Sequence, residues 1–346
     1  MSKATIDHVA KLAGVSMKTV SRVVNREPNV RESTRARVEE AIEKLNYRPN
    51  QSARNLASTR AHLIGLIYDD PSAYEIPSSG YVIRMQQGSL RACRGASYEL
   101  LIHPCNYRKR NLDREIAELI EHARPAGIIL AAPLSNMPKI VRAVEATQTP
   151  LIRISPGKPS PGETCIATND RESCAEMTRY LASLGHERIA FITGHPSHKA
   201  VANRFAGYKD GLEQSGLRFS TRLVAGGDNS FGSGVDAART LLLRKHRPTA
   251  IFAANDDMAV GVVRVADELG IRIPGELSVA GFDDIALARQ VYPALTTIRQ
   301  PLSAMAERAA ELLIEGRGRP APSGAGGEEV IPSSLKVRDS TGPVPG

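Results

Sequence analysis

The chain has 346 residues, with 45 Lys and Arg against 37 Asp and Glu, four cysteines and no tryptophan. That length exceeds one ordinary domain, so two or three units are expected, each able to bury a core. No stretch approaches the ~18 apolar residues of a membrane span, and no apolar run follows the first lysine, so the expectation is a soluble, cytoplasmic protein with no membrane partner.

The net charge of +8 sits mostly at the N-terminus: residues 1–60 carry 12 Lys and Arg against 6 Asp and Glu, as an electrostatic footprint on nucleic acid would. Thr5 is placed to cap a first helix whose apolar positions Ile6, Val9, Ala10 and Ala13 recur at three- and four-residue spacing. Gly14 supplies a sharp turn, Val15 points inward, and Ser16 caps a second helix that buries Val20, Val23 and Val24. This is a helix-turn-helix layout. The opposite face of the second helix carries Met17, Lys18, Ser21, Arg22 and Asn25. Arg22 suits guanine O6 and N7, Lys18 suits guanine acceptors, and Met17 suits a thymine methyl. Thr19, Ser21 and Asn25 suit phosphate oxygens. A third helix over about 32–45 packs back through Val38, Ala41, Ile42 and Leu45. Ser33 and Thr34 at its start are candidate phosphate contacts, and Asn29 before it could reach the groove edge. Pro49 ends the helical register. Residues 50–57 then hold good helix formers in too short a stretch to be stable alone.

From Leu63 onward short β-rich runs alternate with amphipathic helices. Strands are expected at 63–68, 99–103, 127–131, 151–155, 188–193, 250–254 and 277–281. Helices are expected near 80–95, 112–123, 136–146, 170–184, 202–215, 234–244, 257–269 and 302–315. Such alternation implies parallel sheets flanked by helices, with ligands held at the carboxyl ends of the strands. The strand series restarts near Arg188, which suggests two lobes and a cleft. Polar residues just after strand ends are the cleft candidates: Asp69, Asp70, Ser155, Asn255 and Asp283, with Arg204 on a following helix. Asp256 reads as a helix cap rather than a ligand contact. With no tryptophan, the aromatic platform for a sugar ring is sought in Tyr74, Tyr81, Phe231 and Phe282. The glycine-rich 226–228 and 232–234 segments read as a binding loop, and His195 and His198 as structural or surface residues. Cys93, Cys105, Cys165 and Cys174 form no C-x-x-C pair, which points to structural thiols, with no metal and no cofactor. No nucleophile elbow, Walker A loop or zinc-protease motif is present, so the chain does not read as an enzyme.

The joint pattern Ala13-Gly14-Val15-Ser16, Thr19-Val20-Ser21-Arg22 and Leu45-Asn46-Tyr47-Arg48-Pro49-Asn50 closely resembles the lac-repressor family of bacterial transcription regulators. The similarity covers nearly the whole chain and runs almost residue for residue from Thr5 to Ala57. It implies a small all-α helix-turn-helix domain (1–49), a hinge helix and linker (50–61), and an α/β periplasmic-binding-protein-like effector and dimerisation domain (62–340). The lobes would be about 62–163 plus 286–300, and about 164–285 plus 301–340. The hinge helix of the family orders on the operator, where two copies meet in the minor groove. Leu56 matches the leucine that wedges into a base step, and Asn50, Ala53 and Ala57 go with it to DNA. Arg204, Asn255 and Asp283 fall on effector positions, and their chemistry suits a polyol. Family members often place an aromatic residue near Asn229. Three partners are thus expected, of which the first two are duplex operator DNA and a sugar-like effector. The third is a second copy of the chain, since the C-terminal tail has no leucine heptad and a dimer suffices. Carbohydrate repression is the leading expectation; purine or other metabolite co-repression, or activation on the same fold, stays open.

Overall fold

A computed structural model provides the structure, and it describes residues 4–24, 30–47, 62–70, 80–157, 159, 162–318 and 327–344. The chain divides into two compact units, Met1–Ala61 and His62–Gly346.

The first unit holds α1 (Ile6–Ala13), α2 (Met17–Val24) and α3 (Glu32–Lys44). Thr5 caps α1 through a reciprocal pair: its hydroxyl accepts the His8 N–H, and His8 Nδ1 accepts the Thr5 N–H at 3.2 Å. This leaves fewer orphan N–H groups at the helix start. Gly14 closes α1 at φ +64°, the left-handed conformation that a side chain would disfavour. Val9, Val20 and Val38, one from each helix, have no exposed surface and form the centre of a small core with Ala10, Ala13, Val23 and Ala41.

The second unit contains two six-stranded sheets. The strands are β1 (Leu63–Asp69), β2 (Glu99–Cys105), β3 (Gly127–Leu130), β4 (Leu151–Ile154), β5 (Cys165–Ala167), β6 (Ile189–Ile192), β7 (Val224–Ala225), β8 (Ala250–Ala253), β9 (Ser278–Asp283), β10 (Thr296–Arg299), β11 (Glu328–Val330) and β12 (Ser334–Lys336). The first sheet runs β11-β5-β4-β3-β1-β2 and the second β12-β10-β9-β8-β6-β7. Every pairing is parallel except β10 with β12. Near-continuous apolar strands such as Gly127–Leu130 and Ala250–Ala253 are buried throughout, as parallel sheets covered on both faces require.

The lobe boundaries differ from those expected. β10 pairs with β9, Thr296 opposite Ala280, and so belongs to the second lobe. The helix Leu302–Ile314 belongs to the first, burying Met305, Ala306, Ala309, Leu312 and Leu313 with Ile129 and Ile152. β5 and β11 also complete the first sheet. Among the described residues the first lobe therefore runs to Ala167 and takes in 302–318 and 327–330, while the second holds Asp170–Arg299 and the residues from Ser334. The chain passes between them three times. One contact fixes the packing inside the first lobe: a Cβ at Gly88 would lie 1.9 Å from the Ser303 carbonyl oxygen. Helices Gly80–Gly95 and Leu302–Ile314 thus meet backbone to backbone.

Candidate functional site

On the helix-turn-helix unit, the Ser16 hydroxyl accepts the Thr19 N–H at 3.2 Å and lies 2.9 Å from the Thr19 hydroxyl. That bond starts α2 at Ser16 and sets the side-chain register of the helix. Val20 and Val23 turn into the core, whereas Ser16, Met17 and Lys18 are exposed, Met17 to 53 %. Thr19, Ser21 and Arg22 are half-buried beside them. Thr34 lies in the first turn of α3, half-buried. Asn25, Asn29, Asn50, Ala53, Leu56 and Ala57 lie outside the described residues.

The body presents a cavity between its lobes, at the carboxyl ends of the parallel strands. The first lobe contributes Asp69 at the end of β1, Tyr107 and Arg108 after β2, Ala132 and Pro133 after β3, and Ser155 after β4. The second contributes His195 and His198 after β6, Asp228–Ser230 after β7, Asn255 and Asp257 after β8, and Asp283 at the end of β9. Tyr81, Arg204 and Gln300 complete the polar lining. Ser155, Asn229, Asp283 and Asp284 all have positive φ (+50°, +72°, +113° and +53°). Non-glycine residues in these regions are costly unless their surroundings hold them, and here they gather where strands open into the cleft.

Arg204, on the helix Lys199–Gln214, is 8 % exposed and forms the fixed centre of the cavity floor. Its guanidinium lies 3.8 Å from the Phe282 ring centroid. Nε donates to Asp170 Oδ1 at 3.1 Å and Nη1 to the Ala254 carbonyl at 2.6 Å. Asp283 Oδ1 stands 3.7 Å from Nη1 and accepts Gln300 Nε2 at 2.7 Å. Burial works against the Arg204 charge, but Asp170 and Asp283 outweigh it. Burial pushes the Asp283 carboxyl up to about 7, with Arg204 pulling the other way and Asp257 adding to the rise. Burial alone lifts Asp257 to about 6. His198 is pushed down to about 4 by burial, helped by Arg204 and His195, and is uncharged at neutral pH. Asp228 stays ionised because hydrogen bonds from Ser230 and Ser233 outweigh its burial.

Of the residues expected to hold a small molecule, Asp69, Ser155, Arg204, Asn255 and Asp283 come together in this cavity. Tyr74 lies outside the described residues. Phe231 does not line the cavity: it is the first residue of the helix Phe231–Leu242, 42 % exposed, and its cap Ser230 takes the inward position. Phe282 lies beneath Arg204 with no exposed surface, so the aromatic faces on the cavity are Tyr81 and Tyr107. Asn255, not Asp256, caps the following helix, accepting the Met258 N–H at 3.0 Å. Asp256 is fully buried and held by the Thr297 hydroxyl (2.6 Å) and the Ile285 N–H (2.9 Å). His195 and His198 were expected to be structural, yet both line the cavity. His195 Nε2 lies 3.3 Å from the Tyr107 hydroxyl of the other lobe. Gln300 and Asp257 went unnoticed, although the latter is one residue beyond a strand-end carboxylate that was marked.

A helix-turn-helix unit followed by a two-lobed α/β body with a polar interlobe cavity defines a ligand-responsive DNA-binding protein. The comparisons give the family. The profile of the bacterial regulatory proteins of the lacI family matches residues 5–50, and that of the periplasmic binding protein-like domain matches residues 178–341. The chain is 36 % identical over 329 residues to the HTH-type transcriptional regulator GalR of Escherichia coli (strain K12), covering 92 % of this chain and 91 % of that one. It is 33 % identical over 312 residues to the ribose operon repressor of the same strain, covering 90 % and 92 %. The lac repressor dimer bound to operator and the anti-inducer ONPF superposes with a TM-score of 0.81 at 26 % identity, over 99 % of this chain and 100 % of that one. The chain belongs to the lacI family and is a DNA-binding transcriptional regulator. No helix among the described residues is long and apolar enough to cross a membrane.

Proposed function

We propose that this protein represses carbohydrate-utilisation genes in the cytoplasm, as a homodimer whose operator affinity a sugar-like effector sets from the interlobe cavity. It acts as a sensor and not as a catalyst. The observation that carries this reading is the Arg204 floor: a buried guanidinium fixed by Asp170, with Asp283 beside it and Asn255, Tyr81 and Tyr107 on the same cavity. Carboxylate and amide acceptors, a guanidinium donor and aromatic faces are what a polyol ring uses. The relative named as the ribose operon repressor supports the same class. On DNA, Met17, Lys18 and Arg22 would read base edges in each half-site. Thr5, Ser16, Thr19, Ser21, Asn25, Asn29 and Thr34 would position the unit on the backbone. Residues 50–57, with Leu56 as the wedge, would form the paired hinge on which the effector acts. The test is fluorescence anisotropy with an operator selected from a random duplex library, titrated with a panel of sugars and purines. A sugar that changes operator affinity supports the reading. A purine that does so in its place overturns it, as does an operator affinity that no member of the panel changes.

A further inference from the structure

We propose that the effector carries a protonated amine on its polyol frame and no anionic group, with Asp257 seating the ammonium beside Asp283. This deepens the reading of the cavity as a sugar-like effector site and rests on it. Three observations on the cavity lead there. The first is its charge: Asp69, Asp228, Asp257 and Asp283 face it against Arg108 and Arg204. The Arg204 charge is already matched from behind by Asp170, so the lining keeps an excess of negative charge. The two histidines do not alter this on the His198 side, where burial keeps the ring uncharged.

The second is the state of Asp257. It stands one residue into the helix Asp256–Glu268 and lines the cavity, with no hydrogen-bond or ion-pair partner among the described residues. Its neighbours on that helix start are occupied elsewhere, Asn255 by the Met258 N–H and the Asn229 carbonyl, Asp256 by Thr297 and Ile285. Asp257 is the acceptor left over. The third is that Asp283 lines the same cavity, is 7 % exposed and has one donor, Gln300, at full hydrogen-bond distance. Two carboxylates in one partly desolvated cavity, Asp257 with no counter-charge among the described residues and Asp283 sharing Arg204 with Asp170, cost free energy that a donor-only cation offsets. A phosphate or carboxylate on the ligand would meet them with like charge.

The experiment is isothermal titration of the full chain with glucose, galactose and mannose, their 2-amino-2-deoxy and 6-amino-6-deoxy forms, their N-acetylated forms and their 6-phosphates. The expected result is that one amino sugar binds about tenfold or more tighter than its parent, the increment of a charge-assisted over a neutral hydrogen bond. Its N-acetyl form loses that gain, and no phosphate binds. In Asp257→Asn the ratio of amine to parent affinity falls towards one. The N-acetyl comparison uses the unaltered protein and stands even if that variant does not fold. Parent sugars binding as tightly as their amines would overturn the ammonium while leaving the sugar reading in place, and a phosphate binding tightest would do the same. No binding by any member of the panel overturns both.

Discussion

Arg204→Met removes one charge while keeping most of the side chain's length and packing volume. It leaves Asp170, whose side chain is 6 % exposed, and Asp283, at 10 %, without their shared cation, and it leaves the Ala254 carbonyl without its donor. Breaking a buried pair from one side costs about 3–5 kcal/mol, a large share of the roughly 5–15 kcal/mol that holds a domain together. The stranded carboxyls have an escape in protonation. Asp283 already sits at about 7 with the guanidinium pulling it down, so without Arg204 it rises further. A carboxyl whose folded pKa exceeds its unfolded value binds more protons in the native state. Its contribution is therefore present below the unfolded pKa and is lost as pH rises towards the folded one. The variant should lose least near about pH 6 and most near about pH 8.5. Urea unfolding followed by circular dichroism, for the parent, Arg204→Met, Asp170→Asn and the double variant, measures this directly. The double variant should lose less than the sum of the singles, because Asp170→Asn removes a charge that Arg204→Met strands. A loss below about 1 kcal/mol at the alkaline end, or one that does not change with pH, would refute the assignment of Arg204 as a buried structural counter-charge.

Gly88→Ala should destabilise the body by about 1–3 kcal/mol or more, since the new methyl meets the Ser303 carbonyl oxygen and not a flexible side chain; thermal unfolding reads this as a lowered midpoint. His186 is 2 % exposed, lies 2.8 Å from the Ser278 hydroxyl and 3.1 Å from the Gly342 carbonyl, and has its pKa lowered by burial. The unfolded chain therefore binds the proton more readily, and stability should fall as pH drops below about 6.5. His186→Asn should flatten that acid limb of the urea-midpoint profile. Arg22→Ala should relax sequence preference at one base pair per half-site by about 1–3 kcal/mol; competition binding against single-base operator variants would show no change if Arg22 contacts only phosphate.

Long periodic segments were legible in the sequence because their signal is local. The three N-terminal helices, the seven apolar strands and the helix at 302–315 all lie within a few residues of where periodicity places them. β5, β7, β10, β11 and β12 were not, because these two to four residues do not form the continuous apolar run that marks four-residue strands such as Gly127–Leu130. Thr296–Arg299 becomes a strand only through its pairing with β9. That single non-local fact reassigns β10 and leaves the helix after it to the first lobe. At the cavity, residues that follow strand ends were legible from topology alone: Asp69, Ser155, Asn255 and Asp283. Tyr107 and His195 were not, since each lies in a loop without a period and they meet only across the cleft, 3.3 Å apart. Asp256 was misread as the cap and Asp257 went unnoticed, because one residue of helical rotation separates a fully buried carboxylate from one that faces the cavity.

The three passages between lobes are not equivalent, and one of them bears on control. Asn169 Oδ1, at the first, accepts the Ser333 N–H at 2.8 Å and the Ser173 hydroxyl at 3.1 Å, so it ties the first passage to the third. Gln300, on the second, is 3 % exposed and donates instead to a cavity carboxylate, Asp283 Oδ1. A ligand that engages Asp283 must keep or displace that bond, and in either case the segment joining β10 to the helix Leu302–Ile314 registers it. Coupling between two sites is a free energy shared by both, and one hydrogen bond to a charged group is worth about 1.5–3 kcal/mol. Gln300→Leu should therefore shrink the ratio of operator dissociation constants with and without effector by roughly tenfold or more. Operator affinity in the absence of effector should change far less. Anisotropy titrations of both proteins, each with effector at saturation, give the two ratios. If Gln300→Leu weakens effector binding but leaves the saturated ratio unchanged, Gln300 is a ligand contact only, and the passage it lies on does not carry the signal.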